Sequence, residues 1–336
     1  MKELINTIVN EVRNVQNEQF EKKKILKNTD HNNENHEFLF FIKPEITIAD
    51  NNIKLNEILS FIFEKLNEYK LKIKDVNILS AKYLDKTNIM AQHYGIINQL
   101  SQNPKTYFSE TAVQNFQKVF NKSINDVNLL GSLELMKHDD SITLERLEEL
   151  VSKIEIIKLS GGTYVQKVLL NGADTYIINS FHPKQLLHFI KPGRSIVTFT
   201  LQGNTDWQIA RTDLIGSTNP SVAKDGSIRK ELFVNKATFG LADISYSLNG
   251  VHLSAGPVEG LIELMRFNSD FENKIKPDLL SFKMGQLLNE NFTEKQIDII
   301  LLNPDVEYNK KTQSIFDITE EKNNFEAIKI LKSLKI

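Results

Sequence analysis

Residues 249–263 read NGVHLSAGPVEGLIE. Pro257 suits the first position of a helix, and the small residues 254–256 lead into it. The N–H groups at the start of a helix attract anions. His252 stands just before that start, where a neutral imidazole can accept a phosphoryl group. Glu263 lies further along the same helix and can orient the imidazole.

The same stretch also has a simpler interpretation. Asn249-Gly250 is a common hairpin turn, and His252 would then be a half-buried histidine of a strand. Taken alone, the stretch favours this simpler interpretation.

A second stretch, GSTNP at 216–220, leads to Ile228-Arg229. Small residues let a backbone approach a ligand, Thr218 can donate a hydroxyl hydrogen bond, and Arg229 can bind two phosphate oxygens. In isolation this stretch is more simply a solvated surface loop with one charged residue.

A third stretch is the short apolar run from Phe38 to Ile42. It predicts a buried strand that Pro44 stops, with Lys43 at its end. Lys43 could reach a phosphate from there. A lone lysine beside a proline usually marks only a boundary.

The order of these motifs is more specific than any one of them. In this order the chain closely resembles the nucleoside diphosphate kinase family, which has an IKPD-like strand end, an HY pair, a GxTNP loop, an IR pair, and an asparagine three residues before its active histidine. The resemblance covers roughly 37–100 and 179–268. The matching residues here are 42–45 (IKPE), 93–94 (HY), 216–220 (GSTNP), 228–229 (IR) and 249–252 (NGVH).

The resemblance implies an α/β (α+β) fold, a ferredoxin-like sandwich whose antiparallel sheet is backed by helices. It implies that His252 takes the γ-phosphate of ATP or another nucleoside triphosphate and passes it to a diphosphate. Glu263 would hydrogen-bond the imidazole, and Ser254 would lie near that pair. The other implied contacts are to the nucleotide: Lys43 and Asn249 at the sugar, with Lys43 also near phosphate, and Tyr94, Thr218 and Arg229 at the phosphates. Mg²⁺ would bridge the nucleotide's own phosphates without a dedicated protein site.

Arg211 departs from the family pattern. The family's first arginine lies four residues before the loop glycine, whereas Arg211 lies five before Gly216. One residue is about 100° of rotation on a helix. We therefore expect Arg211 to face the site only if the extra residue falls after the helix ends.

The pattern along the chain predicts three regions. Residues 1–36 are an N-terminal helix, over 1–26, and a polar linker; 37–268 are the kinase-like domain; and 269–336 are a helical extension. An inserted subdomain, 101–178, interrupts the second region. Because the insert lies between Tyr94 and the helix near Phe189, we expect it to form a lid or partner surface beside the nucleotide cleft.

Composition narrows the possible partners. The formal net charge of −2 gives no field that would recruit nucleic acid, so Lys22-Lys23-Lys24 is interpreted as a solvated helix face. No segment has the length of a membrane span. The absence of cysteine fits a reducing compartment, and a cytoplasmic location is expected. The family forms hexamers or tetramers, so the resemblance also implies a homo-oligomer.

One alternative function stays open. The insert and the extensions are compatible with a catalytically weak nucleotide-binding or regulatory module of the same fold. The presence of His252 and Glu263 argues against it, because a degenerate site usually loses its nucleophile early.

Overall fold

The computed structural model describes residues 1–15, 22–27, 34–48, 50 and 52–334. The chain divides into two compact units. The first unit comprises Met1–Thr87 and Ile190–Ile336, and the second unit is Asn88–Phe189.

The secondary structure follows in chain order. The elements up to Thr87 are α1 (Lys2–Val15), β1 (Lys22–Lys27), β2 (His36–Ile42), α2 (Pro44–Thr47), α3 (Leu55–Glu68), β3 (Lys72–Ser80) and α4 (Ala81–Thr87). Those from 88 to 190 are α5 (Ile89–His93), α6 (Gly95–Gln102), α7 (Pro104–Tyr107), α8 (Glu110–Phe120), β4 (Asn128–Gly131), α9 (Ser132–His138), α10 (Leu144–Val151), β5 (Ile157–Ser160), β6 (Thr163–Leu170), β7 (Ala173–Ile178) and α11 (His182–Ile190). The remaining elements are β8 (Ser195–Gly203), α12 (Trp207–Ile209), a π-helix (Ala210–Ile215), two 3-10 turns (Pro220–Val222, Leu279–Ser281), α13 (Ile228–Val234), β9 (Val251–Leu253), α14 (Pro257–Asn268), α15 (Lys283–Asn291), α16 (Glu294–Leu301), β10 (Asp305–Tyr308), β11 (Lys311–Ser314), α17 (Ile315–Thr319) and α18 (Asn324–Lys332).

The first unit is built on a five-stranded sheet in the order β1-β3-β8-β2-β9, in which every pair is antiparallel. Apart from the edge strand β1, the neighbouring strands across the sheet are β3, β8, β2 and β9. Counted along the chain, these are the second, third, first and fourth of the four. This is the ferredoxin-like order, so the predicted fold class is confirmed.

The two faces of this sheet carry different side chains. On one face, Phe38, Phe40 and Ile42 of β2 enter a core with the apolar residues of α1 and α3. Both helices show the predicted three- and four-residue apolar spacing, which puts those residues on one side. On the other face, Phe41 packs on Phe267 of α14, with ring centroids 5.6 Å apart.

The second unit has a sheet of its own, in the order β4-β7-β6-β5. The turn at Asn171-Gly172, a residue pair common in hairpins, joins β6 to β7, and both residues have positive φ. Apolar clusters lie on this sheet, one around Phe116 and Tyr176 and the other around Leu147 and Ile177.

The prediction of a helix over residues 1–26 was wrong at 22–26. Residues 22–27 form the edge strand β1, and the linker at 28–33 lies outside the described residues, as do residues 16–21. Lys22 is not on a solvated face, because its Nζ donates to the carbonyls of Phe267 (3.2 Å) and Ser269 (2.9 Å). Carbonyls at a helix end lack partners within the helix, and a lysine can supply the donor. Burial lowers the pKa of Lys22 to about 8.

Two local features refine the helical regions. Asn88 (φ 52°) adopts the left-handed conformation and separates α4 from α5. The tail is mostly helical, as expected, and also contains the hairpin β10-β11. Its turn residues Asn309 and Lys310 both have positive φ. An Asn-Gly pair would have indicated this turn in the sequence, whereas Asn-Lys does not. Among the described helices, none has the length and hydropathy to cross a bilayer.

We expect residues 88–189 to fold alone when expressed as a fragment, because the unit has its own sheet and its own apolar clusters. Its thermal unfolding, followed by circular dichroism, should be cooperative, with a free energy of unfolding of about 5 kcal/mol or more. Phe116→Ala, at a buried position, should lower that free energy by about 3–5 kcal/mol. Leu169→Ala, at a side chain that is 68% exposed, is the matched control and should change it little. A fragment without a cooperative transition would contradict the expectation.

Candidate active site

His252 is held at the edge of the sheet in the first unit. It is the middle residue of β9, where Val251 and Leu253 point into the core and His252 points to the opposite face. In the register it lies beside Phe41 of β2, and the two rings stack with centroids 4.5 Å apart and an interplanar angle of 19°. The imidazole therefore has one fixed face and keeps 19% of its side-chain surface exposed.

Glu263 fixes the other side of the imidazole. Its carboxylate oxygens lie 3.1 and 3.2 Å from His252 Nε2, and its own side chain is almost fully buried. An ionised carboxylate only accepts hydrogen bonds, so Nε2 carries the proton and donates. In a neutral imidazole that tautomer puts the lone pair on Nδ1.

A second acidic side chain, Glu259, lies one turn before Glu263 on α14. Burial and the nearby Glu263 charge raise the pKa of Glu259 to about 8, and Arg211 and Arg266 oppose that shift. Two like charges on one helix face cannot both be ionised cheaply. Its surroundings therefore favour the neutral form of Glu259.

Lys43 and Asn249 form a direct pair. Lys43 follows β2, and its buried Nζ donates to Asn249 Oδ1 at 2.7 Å. Asn249 Nδ2 donates to the carbonyl of Thr218 at 3.1 Å, which ties the Gly216–Pro220 loop to the same point. Burial, with a contribution from Arg229, lowers the pKa of Lys43 to about 8 against the opposing effect of Glu45. The lysine is charged at neutral pH and loses its proton in mildly basic solution.

Arg229 joins the loop to the strand. It stands at the start of α13, where one guanidinium nitrogen donates to the carbonyl of Gly216 and the other to that of Val251, both at 3.0 Å. Gly216 has φ +89°, and a Cβ there would collide with the Ser227 side chain. A glycine is therefore required where the loop passes the helix start.

Arg211 also contacts β9. Residues 210–215 form a π-helix closed by a hydrogen bond from Gly216 N–H to the Arg211 carbonyl (3.1 Å). A π-turn holds one residue more than an α-turn without rotating what lies before it. The Arg211 guanidinium donates to the carbonyl of Leu253 at 3.0 Å. Arg211 therefore lies beside β9, and its contact with phosphates stays a prediction.

The remaining predicted residues lie as follows. The Ser254 hydroxyl accepts from the N–H of Leu39 and is near its carbonyl, so it joins β9 to β2; within the described contacts it makes no hydrogen bond to His252 or Glu263. Thr218 is exposed. Tyr94 belongs to the second unit, where it lies between α5 and α6 and packs near Phe189 and His182.

Sequence reasoning missed several residues of this site. In the sequence, Phe41 is only one residue of an apolar run. Its position under the imidazole depends on the register between β2 and β9, which the sequence does not reveal. Glu45 accepts a hydrogen bond from Gly250 N–H at 2.7 Å and follows Lys43 by two residues. Glu259 could have been found, because residues four apart share a helix face with Glu263.

Comparison with known proteins gives distant results. A scan against protein-family models and a search of curated proteins find no match. Among solved structures, the chain is similar to the apo, cubic form of nucleoside diphosphate kinase from Encephalitozoon cuniculi, with 14% identity, 70% of this chain and 90% of that chain covered, and a TM-score of 0.34. It is also similar to an NDP kinase from Pyrobaculum aerophilum, with 18% identity, 71% and 98% coverage, and a TM-score of 0.35.

The lowered pKa of Lys43 predicts how affinity for Mg·ADP depends on pH. Above pH 8 the lysine loses the charge that attracts an anion, so the dissociation constant should rise by up to about tenfold between pH 7 and pH 9. Titration calorimetry would measure it. The Lys43→Met variant should bind Mg·ADP weakly at pH 7, and its dissociation constant should change much less between pH 7 and pH 9. Any pH dependence that remains would come from ionisation of Glu259. A wild-type affinity that stays constant from pH 7 to pH 9 would contradict the assignment.

The π-turn predicts opposite results for two changes at neighbouring positions. Arg211→Ala removes a cation beside β9 and should weaken Mg·ADP binding about tenfold or more, comparably with Arg229→Ala. Deletion of the exposed Thr212 removes the extra residue, so an α-turn can replace the π-turn and Arg211 keeps its direction. That deletion should leave affinity within about threefold of wild type. A silent Arg211→Ala beside a damaging Arg229→Ala would refute this role for Arg211.

Proposed function

We propose that this protein transfers the γ-phosphate of a nucleoside triphosphate to a nucleoside diphosphate through a phosphohistidine on His252. The observation that supports it most is the hydrogen bond of 3.1 Å between His252 Nε2 and Glu263. This bond holds the tautomer in which Nδ1 can attack phosphorus.

The reaction has two halves that mirror each other. In the first, Nδ1 attacks the γ-phosphorus, the bond from that phosphorus to the β,γ-bridging oxygen breaks, and the diphosphate leaves. In the second, a terminal oxygen of another diphosphate attacks the phosphohistidine and the N–P bond breaks. The imidazole becomes more positive as Nδ1 bonds to phosphorus, and the Glu263 carboxylate stabilises that charge.

Phosphoryl transfer otherwise needs positioning and positive charge around a dispersed anion. Lys43, Arg211 and Arg229 supply that charge, since each donates a hydrogen bond to a residue between 249 and 253. Mg²⁺ enters with the nucleotide as part of the substrate, bridging its phosphates. The nucleotides are the proposed partners, and the homo-oligomer, the cytoplasmic location and the role of residues 101–178 stay predictions.

The test is incubation with γ-labelled ATP and Mg²⁺, followed by measurement of label on the protein. Label should appear, be lost in acid and persist in base, and leave the protein when an unlabelled diphosphate is added, as ping-pong exchange requires. His252→Ala should abolish labelling, and Glu263→Gln should slow it.

His138→Ala is the matched control, because His138 is an exposed histidine of the second unit. Labelling of His252→Ala equal to that of wild type would overturn the assignment. A wild type that binds ADP yet takes no label would instead be the nucleotide-binding module considered above.

A further inference from the structure

The C-terminal segment touches the turn that precedes α14. After α17 ends at Thr319, the chain turns through Glu320 and Glu321, and Glu321 N–H donates to the carbonyl of Ala255 at 2.9 Å. Glu321 has φ +57°, the left-handed conformation with which a helix commonly ends. The segment is therefore held against the turn by its backbone.

Gly256 allows the two backbones to meet. A Cβ at this position would lie 2.6 Å from the Thr319 carbonyl oxygen and 3.0 Å from Glu320 Cα. The Thr319 side chain is fully buried, and its hydroxyl donates to the carbonyl of Ile315 at 2.8 Å. These contacts place Cα of Glu320 beside Gly256, which follows the end of β9 by three residues.

From this position the Glu320 side chain reaches Arg211. Its Oε1 lies 3.6 Å from one terminal nitrogen of the guanidinium, while the other terminal nitrogen donates to the carbonyl of Leu253 at 3.0 Å. The Arg211 side chain is 20% exposed and that of Glu320 47%. The arginine is thus held on two sides, by the histidine strand and by the C-terminal segment.

We propose that Glu320 is a positioning residue that orients Arg211 for the phosphates of a bound nucleotide. This inference rests on the proposed function, because it assigns the proposed phosphate-binding arginine a partner from the C-terminal segment. It makes that segment part of the nucleotide site.

The distance between Glu320 and Arg211 distinguishes a positioning role from competition with phosphate. A carboxylate close to an arginine can also compete with phosphate for it. A charge-assisted hydrogen bond between them would measure about 2.7–2.9 Å. At 3.6 Å the pair attracts without a direct hydrogen bond, so the N–H groups of that nitrogen remain available to a phosphate oxygen. Glu320 then restricts the rotamers of a long side chain before the ligand arrives, and this raises affinity.

The experiment is a double-mutant cycle on Mg·ADP binding, measured by titration calorimetry for wild type, Glu320→Gln, Arg211→Ala and the double variant. Glu320→Gln should weaken binding about two- to fivefold, the range that partly exposed ion pairs produce. In the Arg211→Ala background the same change should have no effect. Glu320→Asp should restore part of the lost affinity, and high salt should diminish the difference between wild type and Glu320→Gln.

Glu321→Gln is the matched control, since it removes the same charge one residue away and should leave affinity unchanged or slightly higher. Tighter binding by Glu320→Gln would overturn the proposal by showing competition with phosphate. An equal loss in both backgrounds, or the same loss from Glu321→Gln, would also overturn it. Failure of the wild type to bind ADP would reject both this inference and the proposed function. The predicted coupling together with absence of label on His252 would reject the proposed function alone.

Discussion

The outer edge of β9 is the constraint on which the rest of the site depends. An edge strand presents carbonyls that need donors, and here the carbonyls of Val251 and Leu253 accept from Arg229 and Arg211. One step earlier on the same stretch, the side chain of Asn249 accepts from Lys43. Alternate residues of one short segment thus each bind one cation. Hydrogen bonding to this segment therefore brings three positive charges together at one edge of the sheet.

Acidic side chains lie near the cations Lys43, Arg211 and Arg229 and partly neutralise their charge. Glu45 lies by Gly250 and Glu320 by Arg211, and burial favours the neutral form of Glu259. A further carboxylate, that of Glu263, contacts the imidazole of His252. Charge placed this way is set by the fold before any ligand arrives.

The sequence revealed residue types and local periods, and it was less informative where one element meets another. Pro257 was enough to predict the start of the helix that carries Glu263, whereas the hydrogen bond between His252 and Glu263 was expected from the family resemblance and not from the spacing alone. Phe41 was not found, because its place under the imidazole depends on strand register, which local sequence does not determine. Lys22 was misassigned for a related reason. Its donors satisfy carbonyls some 245 residues away, and such a partner leaves no local pattern.

Two parts of the chain, of very different size, keep their hydrogen bonds local. An additional residue in a regular helix would rotate every following side chain by about 100°, and a π-helix such as that at 210–215 confines this rotation to a single turn. The unit Asn88–Phe189 is about a hundred residues long, and it has a sheet and apolar clusters of its own. The entropic cost of a connection grows only slowly with its length, so a connection that folds into its own unit adds little strain to the sheet that it leaves and re-enters. The strands β3, β8, β2 and β9 accordingly pair side by side although the unit Asn88–Phe189 separates β3 from β8 in the sequence.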